Sequence, residues 1–445
     1  MLTAITFNSF KSYKNARLPL APLTVLIGAN ASGKSNAIEA MRLLAWLAQG
    51  HKLTSIQYAG ADRVVRGRVE DLPYNKGESF TLGCQTNEPE WSRLSMTISH
   101  REDGLHISGE TLEWNSESGN NVPLYALTEP SAGQNTDVRV AYNNFTRGSN
   151  KPYVVCSDQM AIFTQLTSSA PFQEKYKKSQ EDIPVITKKY ERWLSAMFFL
   201  DSVPVKMRGY AFPSEKRLQG DGSNLSGMLY NLWGEEQQAE QEPFKTHRAE
   251  ILQFIQSLPE QDISKLSFLT EPRGGVMVQL TETFGGNAVE YDASLLSDGT
   301  LRVLAIAAAM LSAEEGSLVV IEEIDNGVHP SRASHLLERI RMIAERRQLR
   351  VLLSTHNPAL LDALPESAIP EVVFCYRDPK DGTSCLVRLE DLPEYPELIA
   401  QGRLGYLAAS GTLERFVKQH PKGEEKKARV LSWLKNLRSG SGDKA

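Results

Sequence analysis

Leu23-Thr24-Val25-Leu26-Ile27-Gly28-Ala29-Asn30-Ala31-Ser32-Gly33-Lys34-Ser35-Asn36 is the stretch on which the fold turns. Five strand-forming residues run straight into the pattern Gly-x-x-x-x-Gly-Lys-Ser. Beyond it Ile38, Met41, Leu44, Ala45 and Ala48 recur at helical spacing until Gly50. A buried strand, a glycine-rich turn and a helix form the context in which such a loop cradles phosphate. Gly28 and Gly33 allow a backbone path whose N–H groups point inward through Asn30, Ala31 and Ser32, and the helix start near Lys34 adds its positive dipole end. Lys34 supplies a point charge for the outer phosphates of ATP, and Ser35, followed by Asn36, can set a hydroxyl on Mg²⁺. The bland alternative is a chance glycine turn, against which both flanks count.

Downstream, Leu318-Val319-Val320-Ile321 reads as a second buried strand ending in Glu322 and Glu323. Glu322 stands where Mg²⁺ or its water ligand is held, and its extra methylene relative to Asp predicts outer-sphere contact. Glu323 stands where an attacking water is oriented and deprotonated. Between loop and carboxylates lies Leu296-Ser297-Asp298-Gly299-Thr300, followed by a helix over 301–312. Ser297 and Gly299 can offer a hydroxyl and backbone N–H groups to a γ-phosphate, although the pentapeptide also reads as an ordinary helix N-cap. Val351–Leu353 then leads into Ser354-Thr355-His356-Asn357-Pro358. His356 can hydrogen-bond a γ-phosphate, or be a structural histidine at a strand end. Asp325-Asn326-Gly327 follows the carboxylates, with His329 and Pro330 opening the next helix.

These motifs come in the order Walker A, signature, Walker B, D-loop, H-loop, and in that order the chain resembles the ABC-type ATPases. Phe10-Lys11-Ser12-Tyr13 resembles the N-terminal strand of RecF, SMC and OLD-type members. Gly222-Ser223-Asn224-Leu225, Glu322 through Pro330 and Gly402-Arg403-Leu404-Gly405-Tyr406-Leu407 resemble the prokaryotic AAA family ATPases of the PtuA, RloA and AriA kind. The resemblance implies an α/β fold: an ABC-type P-loop ATPase head with a mixed or antiparallel β subdomain and a helical insertion. It further implies that Ser297 and Gly299 complete the ATP site of a second copy, that Asp325 lies at the dimer seam, and that ATP and Mg²⁺ are the cofactors. The implied partners are a second copy of the chain, in a dimer or a higher oligomer, and a separate nuclease or toxin effector, with DNA a further candidate. The implied role is a switch in antiphage defence. RecF-like repair or an ATP-assembled scaffold is the runner-up, and a transporter-energising cassette a third reading.

The remaining text bounds these expectations. At 445 residues, 41% hydrophobic and 23% charged, the chain exceeds a small domain and is too apolar to be wholly disordered. Lys and Arg number 49 against 54 Asp and Glu, so nucleic-acid binding needs a local basic surface. Such surfaces are expected at Lys206, Arg208, Lys216 and Arg217, and in a basic amphipathic tail from Lys418 through Lys422, Lys426, Lys427, Arg429, Lys435 and Arg438. In that tail Val430, Leu431, Trp433, Leu434 and Leu437 suit packing as well as they suit a partner. Cys84, Cys156, Cys375 and Cys385 form no Cys-x-x-Cys pair, which argues against a disulfide framework or thiolate zinc site. A cytoplasmic protein is expected, with no membrane-length apolar run and no signal-peptide order at Met1 to Lys11. Pro and Gly are too frequent between Lys34 and Ser297 for a long coiled coil. No Asp-x-Asp cluster follows His356, so any cutting activity is expected in another polypeptide.

The expected organisation is an ATPase lobe over 1–165 with a β-rich segment, a helical insertion over 166–275, a second lobe over 276–380 and an extension over 381–445. Within it, 171–200 is read as helical and 225–258 as a helical pair divided near Pro243. Gln165 is the Q-loop candidate, with Gln173 second, and Phe10 or Tyr13 the candidate adenine contact.

Overall fold

The computed structural model describes residues 1–58, 64–115, 121–133, 135–146, 148, 150–256, 262–326, 330–392 and 394–419. The tail beyond 419, with most of its basic and apolar positions, lies outside the described residues, as do Gly327 and His329.

Strands β1 (Leu2–Phe10) and β2 (Tyr13–Pro19) form a hairpin, followed by β3 (Leu23–Ile27) and helix α1 (Lys34–Ala48). The polar stretch that follows folds into β4 (Ser79–Thr86), β5 (Arg93–Arg101), β6 (Gly104–Asn115), β7 (Asn121–Glu129), β8 (Asp137–Tyr142) and β9 (Tyr153–Ser157). With the first hairpin these make an eight-stranded antiparallel sheet ordered β2-β1-β4-β5-β6-β7-β8-β9. Helices α2 (Ile162–Gln165) and α3 (Lys177–Ser195) come next, then β10 (Phe198–Leu200), α4 (Pro204–Met207), α5 (Leu225–Trp233) and α6 (Phe244–Ile255). A small antiparallel sheet holds β11 (Ile263–Thr270), β12 (Val276–Phe284) and β13 (Asn287–Asp292). The last stretch alternates α7 (Asp298–Ser312), β14 (Leu318–Ile321), α8 (Pro330–Arg346), β15 (Arg350–Ser354), β16 (Val372–Arg377) and β17 (Ser384–Arg388).

The central sheet runs β10-β14-β15-β3-β16-β17, parallel except for β17. Its strands are apolar on both faces because both faces are covered. On β3, Leu23, Val25 and Ile27 enter one core while Leu26 enters the other, and Val319 and Ile321 are likewise divided from Leu318 and Val320 on β14. The first core packs α5 to α8 against the sheet; the second packs α1 and the antiparallel sheet against it. Each fully buried Leu, Ile or Val contributes about 1.5–3 kcal/mol, so the sheet is a rigid base for what its edges carry.

The sequence reading and the structure part at two strands. Met197 and Phe198 were expected in a helix, yet α3 ends at Ser195 and Phe198–Leu200 pairs in parallel with Val319–Ile321. A three-residue strand has no readable period. β10 thus joins the sheet from within the span expected to be a helical insertion, and β17 joins it from beyond residue 380, as the partner of a β16 hairpin. The pair divided at Pro243 is present as α5 and α6. No helix among the described residues is long and apolar enough to cross a membrane.

Candidate functional site

Four neighbouring parallel strands end at one rim, where ligands bind in open α/β sheets. β3 runs into Gly28, β14 into Glu322 and Glu323, β15 into Thr355 and His356, and β10 into Asp201. Ala29 through Asn36, Arg66, Glu322, Glu323, Ser354, Thr355, His356 and Arg377 surround one cavity of about 390 Å³. A larger cavity of about 850 Å³ adjoins it, sharing Ser35, Ile38, Arg66 and Glu322 and including Arg42 and Asp201.

The phosphate loop is shaped from behind. Tyr13 Oη donates to Gly33 O at 3.1 Å, Ser384 Oγ to Ser32 O at 2.6 Å and Arg377 Nε to Ala31 O at 3.0 Å, while Lys34 Nζ donates to Gly28 O at 2.6 Å and Ala29 O at 3.2 Å. The carbonyls of residues 28, 29 and 31–33 are thus taken up by donors, and Ser32 N–H closes a turn onto Ala29 O at 3.2 Å. No side chain caps the first turn of α1, so its amides are available to an anion. Gly28 (φ 150°) and Gly33 (φ 123°) are required sterically: a Cβ would come 2.2 Å from Cys375 O at the first and 2.4 Å from Ser384 Oγ at the second. Burial lowers the pKa of Lys34, an effect that Cys375, Glu323 and Asp325 oppose.

Successive strand residues point to opposite faces, yet Glu322 and Glu323 line the same cavity. The reason is Glu323's left-handed backbone, φ 48°, a strained conformation for a non-glycine residue that costs on the order of 1–3 kcal/mol. It is fixed by a bond from Glu323 N–H to Ser354 Oγ (3.0 Å) and by Asn326 Nδ2 donating to the Glu323 carboxylate (2.7 Å). His356, past the end of the neighbouring strand β15, is half exposed, its Nδ1 3.5 Å from Asp325 Oδ2.

Other expected residues stand elsewhere. Gln165 does not reach the loop: its amide bonds Ser157 N, Ser157 O and Met160 O, closing the turn after β9. Gln173 N–H donates to Tyr142 Oη. Asp325 has a side chain only 5% exposed, turned toward His356 of its own chain, and one chain leaves its expected place at a dimer seam a matter for the closed pair. Phe10 and Tyr13 are fully buried, so neither offers a face to adenine. Ser297 caps α7, accepting from Thr300 N at 3.1 Å with the two hydroxyls 2.8 Å apart. Neither Ser297 nor Gly299 lines the loop cavity. The basic patch at 206–217 is largely compensated, with Lys206 on Asp221, Arg208 on Asp298 and Arg217 on Glu314.

Several residues of the rim escaped the sequence reading. Arg42 Nη2 is 2.6 Å from Glu322 Oε1, and its guanidinium lies over Phe199. Two helical turns separate it from Ser35, so helical spacing could have flagged it. Arg66 and Lys11 share the buried carboxylate of Glu39. Asp201 becomes visible only once β10 is known to be a strand.

Against this geometry, residues 1–89 match the family model described as "AAA ATPase domain" and residues 171–362 the one described as "AAA domain, putative AbiEii toxin, Type IV TA system". The chain carries an AAA-type P-loop ATPase domain. The two matches divide it as the rim does: the first holds the phosphate loop, and the second holds Asp201, the Ser297 segment, the paired carboxylates and His356. Among solved structures, the SMC head bound to the C-winged helix domain of ScpA is similar at 12% identity and TM-score 0.44, covering 87% of this chain and 96% of that one. The Pyrococcus furiosus SMC head with an extended coiled coil, bound to the C-terminal domain of ScpA, gives 12%, 0.43, 90% and 99%, and the Thermotoga maritima SMC head domain 12%, 0.38, 87% and 98%. No curated protein matches the sequence. The hard oxygen donors Ser35 and Glu322 both line the cavity, which suits a magnesium ion that keeps several waters and shares phosphate oxygens.

Proposed function

We propose that the chain binds and hydrolyses ATP, and that two copies close around two triphosphates. The observation that carries this is the strained backbone at Glu323, which brings a carboxylate held by Asn326 to the cavity floored by the phosphate loop. Lys34 exchanges the carbonyls of Gly28 and Ala29 for phosphate oxygens. The loop amides and the N-terminus of α1 hold the β- and γ-phosphates, His356 donates to the γ-phosphate, and Glu323 orients the attacking water and takes its proton. Ser35 and Glu322 would hold Mg²⁺, which offsets phosphate charge when bound. For Glu322 this means giving up its contact with Arg42.

Ser297 and Gly299 lie outside their own chain's cavity, and Leu295, Val203, Val205, Tyr210 and Phe212 nearby in sequence to them or to Arg208 are exposed apolar residues. Both features suit a face that meets the loop of a second copy. Thr300 N–H donates to Ser297 Oγ, and the hydroxyls of the two residues share a contact that either can donate; in the closed pair the serine proton would go to an acceptor on that copy. Loss of the γ-phosphate then opens the pair, a two-state device for controlling DNA or a separate effector subunit in the cytoplasm. The toxin–antitoxin description of the 171–362 match supports a defence setting. Phosphate release tests the reading: Glu323→Gln is expected to slow ATP turnover by about 100-fold or more, and turnover within twofold of the parent would remove Glu323 from the role.

A further inference from the structure

The Ser297 segment departs from the ABC signature Leu-Ser-Gly-Gly-Gln at Asp298 and at Thr300, and the first departure puts a carboxylate where a triphosphate would dock. Its side chain is 63% exposed, and no anion approaches such a group closely without a compensating cation. The structure contains one. Arg208, just past α4, places Nη2 2.6 Å from Asp298 Oδ1, while Nη1 reaches Ser294 O at 2.9 Å, Leu296 O at 2.7 Å and Ala293 O at 3.5 Å. One guanidinium thus fixes the path of residues 293–296 and neutralises residue 298. The segment bearing Arg208 is itself anchored: Met207 is buried, Arg302 of α7 donates to Ser202 Oγ at 3.0 Å, and Ala211 bridges Val276.

We propose that Arg208 is the positioning residue of an aspartate-containing signature: by pairing with Asp298 it removes the charge that would repel a triphosphate and holds Ser297 and Gly299 in the geometry that meets the second copy's ATP. This rests on the ATP-closed pair proposed above. Arg fits the task better than Lys because its planar fork serves carbonyls and a carboxylate together. Arg208 belongs to no cavity of its own chain's phosphate loop, so its effect falls on closure between copies.

The test is a charge cycle in full-length Glu323→Gln protein, following dimer formation by light scattering as ATP is titrated with Mg²⁺. Thermal unfolding without nucleotide reports on folding in every variant. Arg208→Met is expected to raise the ATP concentration for half-maximal dimer at least tenfold. Adding Asp298→Asn is expected to bring it back to within about threefold of the parent, and Arg208→Lys to fall between. A residue that only braced the loop would show no rescue by Asp298→Asn. Equal closure by Arg208→Met and the parent, or an Arg208→Met defect that Asp298→Asn leaves unchanged, overturns the proposal. A parent that never dimerises with ATP sinks the reading beneath it instead, and the parent titration alone distinguishes that case.

Discussion

At the phosphate loop, donors from β2, β16, β17 and Lys34 take up the backbone carbonyls of residues 28, 29 and 31–33. Around Ser297, by contrast, the serine caps its own helix and the neighbouring aspartate is held by Arg208. The loop is finished inside one chain: its amides, lysine, carboxylates and histidine share a cavity. The Ser297 segment is held as firmly, yet neither Ser297 nor Gly299 lines the cavities of that site. That contrast separates what one copy does alone from what, in this account, needs two.

Four tests break or sharpen the contrast. Lys34→Met should have the largest effect, weakening ATP binding by about 100-fold, since a charge-assisted contact to phosphate is lost; titration with a fluorescent ATP analogue reads it. Gly28→Ala comes next. Its Cβ cannot coexist with Cys375 O at 2.2 Å, so the loop must shift, and calorimetry should show about tenfold weaker binding. The effect of pH is gentler. Burial lowers the Lys34 pKa and the ammonium is the binding form, so affinity should decline as pH rises, starting below the ordinary lysine range, with Lys34→Met flattening the profile. Ser297→Ala should be mildest for the single chain, costing about 1 kcal/mol of stability through the lost cap, seen in denaturant unfolding without nucleotide.

How much of this was legible in the sequence follows from what each residue depends on. Leu23–Ile27 and Leu318–Ile321 announce themselves as buried strands because both faces of a covered parallel sheet are apolar. The loop between Gly28 and Ser35 needs two glycines at fixed spacing, and Glu322, Glu323 and His356 are read as the polar ends of apolar runs. What stayed hidden depends on contacts distant in sequence or on backbone detail. Ser384 and Arg377 support a loop some 350 residues away. β10 is too short to show a period, which concealed Asp201, and Gln165, read as a Q-loop candidate from the apolar stretch before it, is tied by the structure to Ser157 and Met160. The inward turn of Asp325 and the positive φ of Glu323 come from backbone geometry that composition does not encode.

A fully buried carboxyl on β6, in the antiparallel sheet, tests the framework behind the rim. Complete burial pushes the Glu110 carboxyl up to about 7, with Ile162 N–H, Phe163 N–H and Tyr125 Oη donating to it and pulling the other way. A carboxyl raised in the folded state favours the fold at low pH and loses that contribution as pH climbs through 7.

The central claim is that ATP joins two copies, and the mass of the Glu323→Gln protein in solution tests it most directly. With saturating ATP and Mg²⁺ the account predicts twice the single-chain mass, falling to one chain when ATP is withdrawn. A single-chain mass under both conditions would contradict it.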